Sequence, residues 1–428
     1  MAGDSRVNLD WKRMKAVVLE SDDWGLCAWA PDSQAYRVLS DLPVFRSPIG
    51  RRYGGSTLER ASDVKRIAGV LSEFRGGDGF PPILQANTVM GAPDYARLQP
   101  PAFACDELPI IGLPLTPSRW ARHGLWGEIV AAREAGVWWP ELHGLHHLPE
   151  TVWLKALRTG VLDARRAFEQ QSPVCEAVVG SGEYDPREPL ELRVRNLEHA
   201  VQRFQQLVGR PPESFCPPNY RADERIEIEA ERLGVRTFQG RPERPGGGWL
   251  RLRHYLERYR FPDVRGARFY LPPRIAFEPG AEGGELTMVG VAGALRGVRA
   301  AWSRAQPAIV STHRANYVQL DESRGEACVE RLREFLAALA SDGAIFLTDA
   351  EVHSLVERRW SMRPIGARGA LIRHWGVPGE PLRFQAPPGV ERVAVREGQG
   401  EGVRAVVEGG EVELRCNIGE VLIEWRRE

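Results

Sequence analysis

Short apolar runs of the kind that fill a buried strand recur along this chain, and a stretch of helical periodicity follows most of them. Lys15–Leu19 (KAVVL) is such a run, ended by Glu-Ser-Asp-Asp-Trp-Gly; it is too short for a helix and lacks the alternation of a half-solvated strand. Over 57–75, Leu58, Val64, Ile67, Val70, Leu71 and Phe74 recur at helical spacing, and Gly76-Gly77 closes the helix. The same reading predicts strands at 82–88, 139–142, 174–179, 214–216, 235–238, 307–311 and 344–348. It predicts helices at 125–136, 151–171, 188–208, 223–233 and 321–341. Such alternation specifies an α/β fold with a parallel sheet. Two stretches rich in Gly, Pro and Arg, 90–124 and 240–300, interrupt it and read as loops or insertions. Beyond about residue 365 short alternating runs separated by glycine turns predict antiparallel strands. The expected division is an α/β unit over 1–360 and a small β appendage over 365–428.

Charge removes several classes of function. The 57 Lys and Arg residues balance 57 Asp and Glu, so there is no electrostatic footprint for nucleic acid or an anionic membrane. No run approaches the ~18 apolar residues of a membrane span. Met1 to Lys15 is polar and lacks the apolar stretch of a secretory signal, which leads us to expect a cytoplasmic protein. The six cysteines are scattered without a CxxC pair, which argues against a disulfide framework or a thiolate zinc site.

Four constellations carry chemistry. Asp22-Asp23 follows the first strand, at the end where parallel sheets place their active sites; two adjacent acids repel, and a bound cation compensates them. A solvated turn or helix cap is the alternative for this pair. Three of the nine histidines fall within His143-Gly144-Leu145-His146-His147. One helical turn would bring the rings of His143 and His147 to one side, with a His-rich surface loop as the alternative. Asp23, His143 and His147 together make a three-ligand site of the hydrolytic zinc type, and Asp22, left uncoordinated, would take a proton from water. His313 ends the strand at 307–311, where a proton donor is needed, and Arg314, Asn316 and Tyr317 after it are groups that bind oxygen-rich substrates. Asn219 and Tyr220, after the rigid Pro217-Pro218 turn, could present polar groups to the site. Trp120, Trp126, Trp138, Trp139 and Trp153 fit either sugar stacking or core packing.

The order of these motifs resembles the polysaccharide deacetylase (NodB-homology) family over about 15–355. Glu20-Ser21-Asp22-Asp23-Trp24-Gly25 is similar to the family's first motif and His143–His147 to its second. Cys216-Pro217-Pro218-Asn219-Tyr220 is similar to the third, and Ser311-Thr312-His313 to the fifth. The resemblance implies a distorted (β/α) barrel holding one divalent metal, zinc above all, with cobalt, nickel and manganese as alternatives. It implies removal of acetyl groups from N-acetylated sugars. Asp22 would be the general base, Asp23, His143 and His147 the metal ligands, and His313 the general acid. The sequence departs from the family where Cys216 replaces the arginine that orients the base, and where the fourth motif, an Asp with a Trp, has no match. Arg221, Arg274 and Arg314 are the arginines that could take that place. The expected substrate is a small molecule or oligosaccharide, and more narrowly a sugar conjugate rather than an extracellular polymer. The rival readings are another metal-dependent amide, ester or glycoside hydrolase and a non-catalytic carbohydrate-binding protein. Under any of these the β appendage could bind or dimerise.

Overall fold

The first apolar run becomes the centre of the molecule. The computed structural model describes residues 9–105, 107–240, 261–281, 289–366, 369–398 and 404–427. In it strand β1 spans Ala16–Trp24 and is buried along almost its whole length. It outruns the apolar segment because Glu20 and Asp22 find partners inside the fold, so polar residues need not end it. The other strands of the main sheet are β2 (Leu84–Thr88), β3 (Trp138–Leu142), β4 (Ser214–Phe215), β5 (Thr237–Phe238), β6 (Asp263–Arg265), β7 (Arg268–Tyr270), β8 (Ile275–Ala276), β9 (Ala308–His313) and β10 (Ile345–Leu347). Their order is β8-β9-β1-β2-β3-β4-β5-β7-β6, with β10 also on β1. Every pairing is parallel except β6 with β7.

β9 runs along one edge of β1, while β10 and β2 share the other, β10 beside Ala16–Val18 and β2 from Leu19 onward. The sheet curls around this centre into a distorted (β/α) half-barrel, which is the α/β architecture expected from the alternation. Outward side chains such as Val17, Leu19, Ala86 and Val310 pack on helices Ala61–Ser72, Val291–Ser303 and Glu322–Ser341 through Val64, Ile67, Val298, Phe335 and Leu336. Inward, Ala16, Val18, Ile309 and Leu347 close the floor. Above that floor the interior is polar, with Glu20, Asp22, Gln85, Asn87, Ser214, Gln239 and Asp349 all buried. A buried polar interior persists only where its groups are mutually satisfied. Here Asn87 donates to Asp22 and Gln239, Gln239 to Ser214, and Gln85 to Asp349.

Several expectations need correction. The helix predicted over 151–171 is two helices, Glu150–Arg158 and Leu162–Glu169, broken where Gly160 takes φ +75°. The strand predicted at 174–179 is a turn, which pairs with no strand. The stretch 90–124 holds a small hairpin, Gly91–Pro93 with Ile110–Gly112. Within 240–300, residues 241–260 and 282–288 lie outside the described residues; the remainder supplies β6, β7, β8 and a helix where only loops were expected.

The C-terminal region folds from Trp360 onward. Strands β11 (Trp360–Ile365) and β12 (Gly369–His374), missed in the sequence, join β17 (Gly419–Arg426) and β14 (Arg392–Gly398) in one antiparallel sheet. β13 (Pro381–Gln385), β16 (Glu411–Arg415) and β15 (Arg404–Glu408) form another. Between them lie Trp360, Ile372, Phe384, Leu414, Ile423 and Trp425. Arg373 and Arg363 reach Glu351 at the start of helix Asp349–Arg358, and Arg373 also pairs with Asp78 at 2.7 Å. All four side chains are buried, so this network ties the appendage to the barrel.

Candidate metal centre

A regular strand sends neighbouring side chains to opposite faces, so Asp22 and Asp23 should point apart. β1 avoids this because Asp23 takes φ +73° and the pairing with β2 is irregular between Ser21 and Trp24. Positive φ at a non-glycine residue is uncommon and is tolerated better by Asp than by most. The result brings both carboxylates to the mouth of the barrel.

The histidine cluster forms no helix. Residues 143–148 are a turn, with φ +94° at Gly144 and +58° at His147. A Cβ on Gly144 would lie 2.2 Å from Glu183 Oε1, so only glycine fits. The expected helical turn is therefore wrong, yet the rings of His143 and His147 still meet, with centroids 5.3 Å apart. Asp23 Oδ1 lies 3.3 Å from His143 Nε2 and 3.6 Å from His147 Nε2. Ligand atoms ~2.1 Å from one tetrahedral cation stand about 3.4 Å from each other, so this donor set fits a divalent ion. His143 Nδ1 lies 2.8 Å from the Cys216 carbonyl oxygen. That contact fixes the proton on Nδ1 and turns the Nε2 lone pair toward Asp23. Asp22, His143 and Cys216 are also close together. Burial pushes the Cys216 thiol up to about 11 and the Asp22 carboxylate adds to this, so Cys216 is neutral and the Asp23 trio is the better fit.

Asp22 faces the barrel interior. Arg274 Nη1 donates to its Oδ2 at 2.8 Å and Arg274 Nη2 to its Oδ1 at 2.9 Å, a bidentate pair. Burial alone would raise the Asp22 pKa; the guanidinium overrides it and holds the carboxyl well below the usual carboxylate range. Among the three arginines open in the sequence, Arg274 is therefore the one on Asp22. Arg221 pairs with Asp185, and Arg314 with Glu59. Arg274 also contacts Glu20 and donates to the Tyr220 hydroxyl.

His313 stands on the other side, its Nε2 3.9 Å from Asp22 Oδ2. Its Nδ1 lies 2.5 Å from Glu278 Oε1. Burial pulls the His313 pKa down, but the Glu278 carboxylate outweighs it and the ring is pushed up to about 9. Glu278 is steadied by Asn316 Nδ2 at 2.7 Å and Arg52 at 2.9 Å. Sequence reasoning missed Glu278, Asn87, Gln239 and Arg52.

The remaining expected substrate groups are not all at the site. Arg314 is fully buried, with its guanidinium on Glu59 and the Leu26 carbonyl, so it cannot meet a substrate. Asn316 is buried and occupied with Glu278 and Thr312. Tyr220 does border the Asp22–Arg274 pair, and Asn219, exposed, donates to the Ser181 carbonyl. Trp120, Trp138 and Trp153 are core residues, and Trp139 is buried with Arg210 4.2 Å over its ring. Trp126 and Trp138, with Trp24, line a cavity of about 290 Å³ beside Leu125 and Ile129 of helix Leu125–Glu134. That cavity includes none of the Asp–His–His residues.

The folded chain is thus a curled (β/α) half-barrel with a candidate Asp–His–His metal centre at the strand ends. No protein-family model and no curated protein matches the chain. Among solved structures it is similar to a candidate polysaccharide deacetylase from Mycobacterium smegmatis, at 15% identity and TM-score 0.39, covering 80% of this chain and 90% of that one. It is also similar to a 4-alpha-glucanotransferase from Thermococcus litoralis, at 9% identity and TM-score 0.40, covering 79% of this chain and 40% of that one. A de-N-acetylase from Aggregatibacter actinomycetemcomitans matches at 11% identity and TM-score 0.22, covering 52% and 86%. Likenesses at this level say nothing of activity.

Proposed function

We propose that this protein is a divalent-metal hydrolase that removes an acyl group, acetyl in the first instance, from the nitrogen of an acylated sugar or sugar conjugate. One observation carries the reading. An Asp–His–His set stands beside a carboxylate held by arginine and an imidazole held by glutamate, the last two 3.9 Å apart at Asp22 and His313. Environments that push one group toward its anion and another toward its cation assign base and acid.

Asp23, His143 and His147 would hold the ion, which when bound supplies Lewis acidity toward a carbonyl and acidifies water. Asp22, kept ionised by Arg274, takes the proton of the attacking water as the new C–O bond forms. His313, kept protonated by Glu278, gives its Nε2 proton to the amine as the C–N bond breaks. The products are a carboxylate and a free amino sugar. Loss of either proton-transfer group costs ~10²–10⁴ in rate. The test is acetate release from a panel of small N-acetylglucosaminyl compounds by zinc- or cobalt-loaded protein. Acetate released by wild type and lost in Asp22→Asn is the expected result. Cleavage that frees a reducing sugar and no acetate would overturn the reading in favour of glycoside hydrolysis.

A further inference from the structure

Because residues 143–148 form no helix, something other than helical hydrogen bonding must hold the His143 and His147 rings together. Glu183 is fully buried, and its Oε1 accepts from Leu145 N at 2.7 Å and His146 N at 3.4 Å. It therefore grips the turn midway between the two histidines, against the absent Cβ of Gly144. The Glu183 loop is itself fixed by Asn219, whose Nδ2 donates to the Ser181 carbonyl at 2.9 Å. It is also wedged by Pro218, which leaves no room for a Cβ on Gly182. The other oxygen, Oε2, is buried with no hydrogen-bond partner. A buried carboxylate with a bare oxygen is costly unless a positive charge lies near. Among the described residues no Lys or Arg lies within ion-pair distance of Glu183; Asp23 touches the two imidazoles, and His313 acts on it from further off. Asp22 and Glu278 do have arginines, Arg274 and Arg52. Glu183 is thus a buried carboxylate with no arginine or lysine of its own, set behind the turn that carries the two imidazoles.

We propose that Glu183 is a positioning residue of the cation site: its carboxylate clamps the His143–His147 turn and adds a negative charge without a Lys or Arg partner behind it. This rests on the reading of Asp23, His143 and His147 as the ion's ligands. The test is cobalt(II) titration of metal-free, folded wild type, Glu183→Gln, Glu183→Ala and His147→Ala. It is followed by the visible d–d absorption and by competition with a chromophoric chelator. Glu183→Gln keeps an oxygen for the Leu145 N–H but loses the charge, and cobalt affinity should fall ~10-fold. Glu183→Ala loses both, and affinity should fall ~100-fold with a changed absorption spectrum, the range seen when outer partners of ligands are removed. If cobalt binding is lost in His147→Ala but keeps wild-type affinity in both Glu183 variants, the proposal is overturned and the ligand assignment stands. Lower melting temperatures of the metal-free variants with unchanged affinity overturn it equally, since that is all a purely structural glutamate would do. If wild type itself binds no cobalt, the metal-site reading and this proposal fall together. Should Glu183→Ala not fold, Glu183→Gln still decides the question through its charge.

Discussion

Glu278→Gln isolates the charge that keeps His313 protonated. The amide keeps the shape of the carboxylate and an oxygen for Asn316, but not the charge facing His313 Nδ1 at 2.5 Å. Arg52, 2.9 Å from Glu278 in the wild type, becomes an unopposed cation nearby. Burial pulls the imidazolium down, and Glu278 is the largest of the carboxylates that raise it to about 9, Asp22 and Asp23 adding to it, so in the variant the His313 pKa should fall toward the ordinary ~6.5. A full fall to that value corresponds to about 3.5 kcal/mol at ~1.4 kcal/mol per pH unit. At pH ~8 the protonated fraction falls from about 0.9 toward about 0.03, and acid catalysis by His313 should weaken by up to ~30-fold. The sign for stability follows from the same shift. A histidine whose folded pKa is raised stabilises the fold fully below its unfolded value of ~6.5 and loses that contribution as pH rises through about 9. Wild type should therefore lose stability between those limits, and Glu278→Gln should lose less. The assay is an NMR titration of the His313 ring beside pH profiles of kcat/KM and of thermal unfolding. A variant ring that still titrates near 9 would refute the electrostatic account of His313.

Four other changes test the rest of the centre. Arg274→Met leaves Asp22 buried without its cation, a break that costs ~3–5 kcal/mol in buried pairs; metal content should persist while acetate release falls at least ~100-fold, as checked by elemental analysis beside turnover. His147→Ala should abolish both bound metal and turnover, whereas Asp22→Asn should keep the metal and lose turnover; full metal occupancy in His147→Ala would show the ligands to be misassigned. Gly144→Ala puts a Cβ 2.2 Å from Glu183 Oε1 at φ +94°, and we expect weaker cobalt binding with a stability loss of ~1–3 kcal/mol by chemical denaturation.

What could be read in the sequence was whatever local chemistry marks. Lys15–Leu19 and Pro307–Ser311 announced buried strands, and the acids and histidine after them fell at strand ends by chain order alone. Asp23, His143 and His147 were grouped by ligand chemistry, and the structure places their donor atoms 3.3 and 3.6 Å apart. The helical reason given for the histidine pair failed because spacing cannot show backbone sign. The glycine at 144 was the available signal, since glycine is the usual residue where φ must be positive. β8, which went unpredicted, is two residues long, below the length at which periodicity carries information. Glu278 and Gln239 were hidden, and Arg274 could not be chosen from its rivals, for a different reason: their partners lie 35 to 254 positions away in the chain, and no local pattern records that distance.

Arg274 and Glu278 reach the centre from one short stretch of chain. Both flank β8, whose Ile275 and Ala276 pair with Val310 and Ser311 of β9. Along an extended segment even-numbered side chains share a face, so residues 274 and 278 both turn inward while Ile275 and Phe277 join the outer core. β9 in turn sets His313 beside Asp22 of β1. Three adjacent strands thereby fix four charged groups in alternation: Arg274 on Asp22, then His313, then Glu278. Each buried charge has an opposite neighbour, which is the condition for keeping them ionised in a low-dielectric site. An arginine at position 216 would reach Asp22 from β4, on the far side of the curl. With the edge strand β8 supplying that cation, position 216 is free to hold a neutral thiol, and its carbonyl remains to orient His143. Arg274 and Glu278 should therefore prove as sensitive to substitution as Asp22 and His313 themselves.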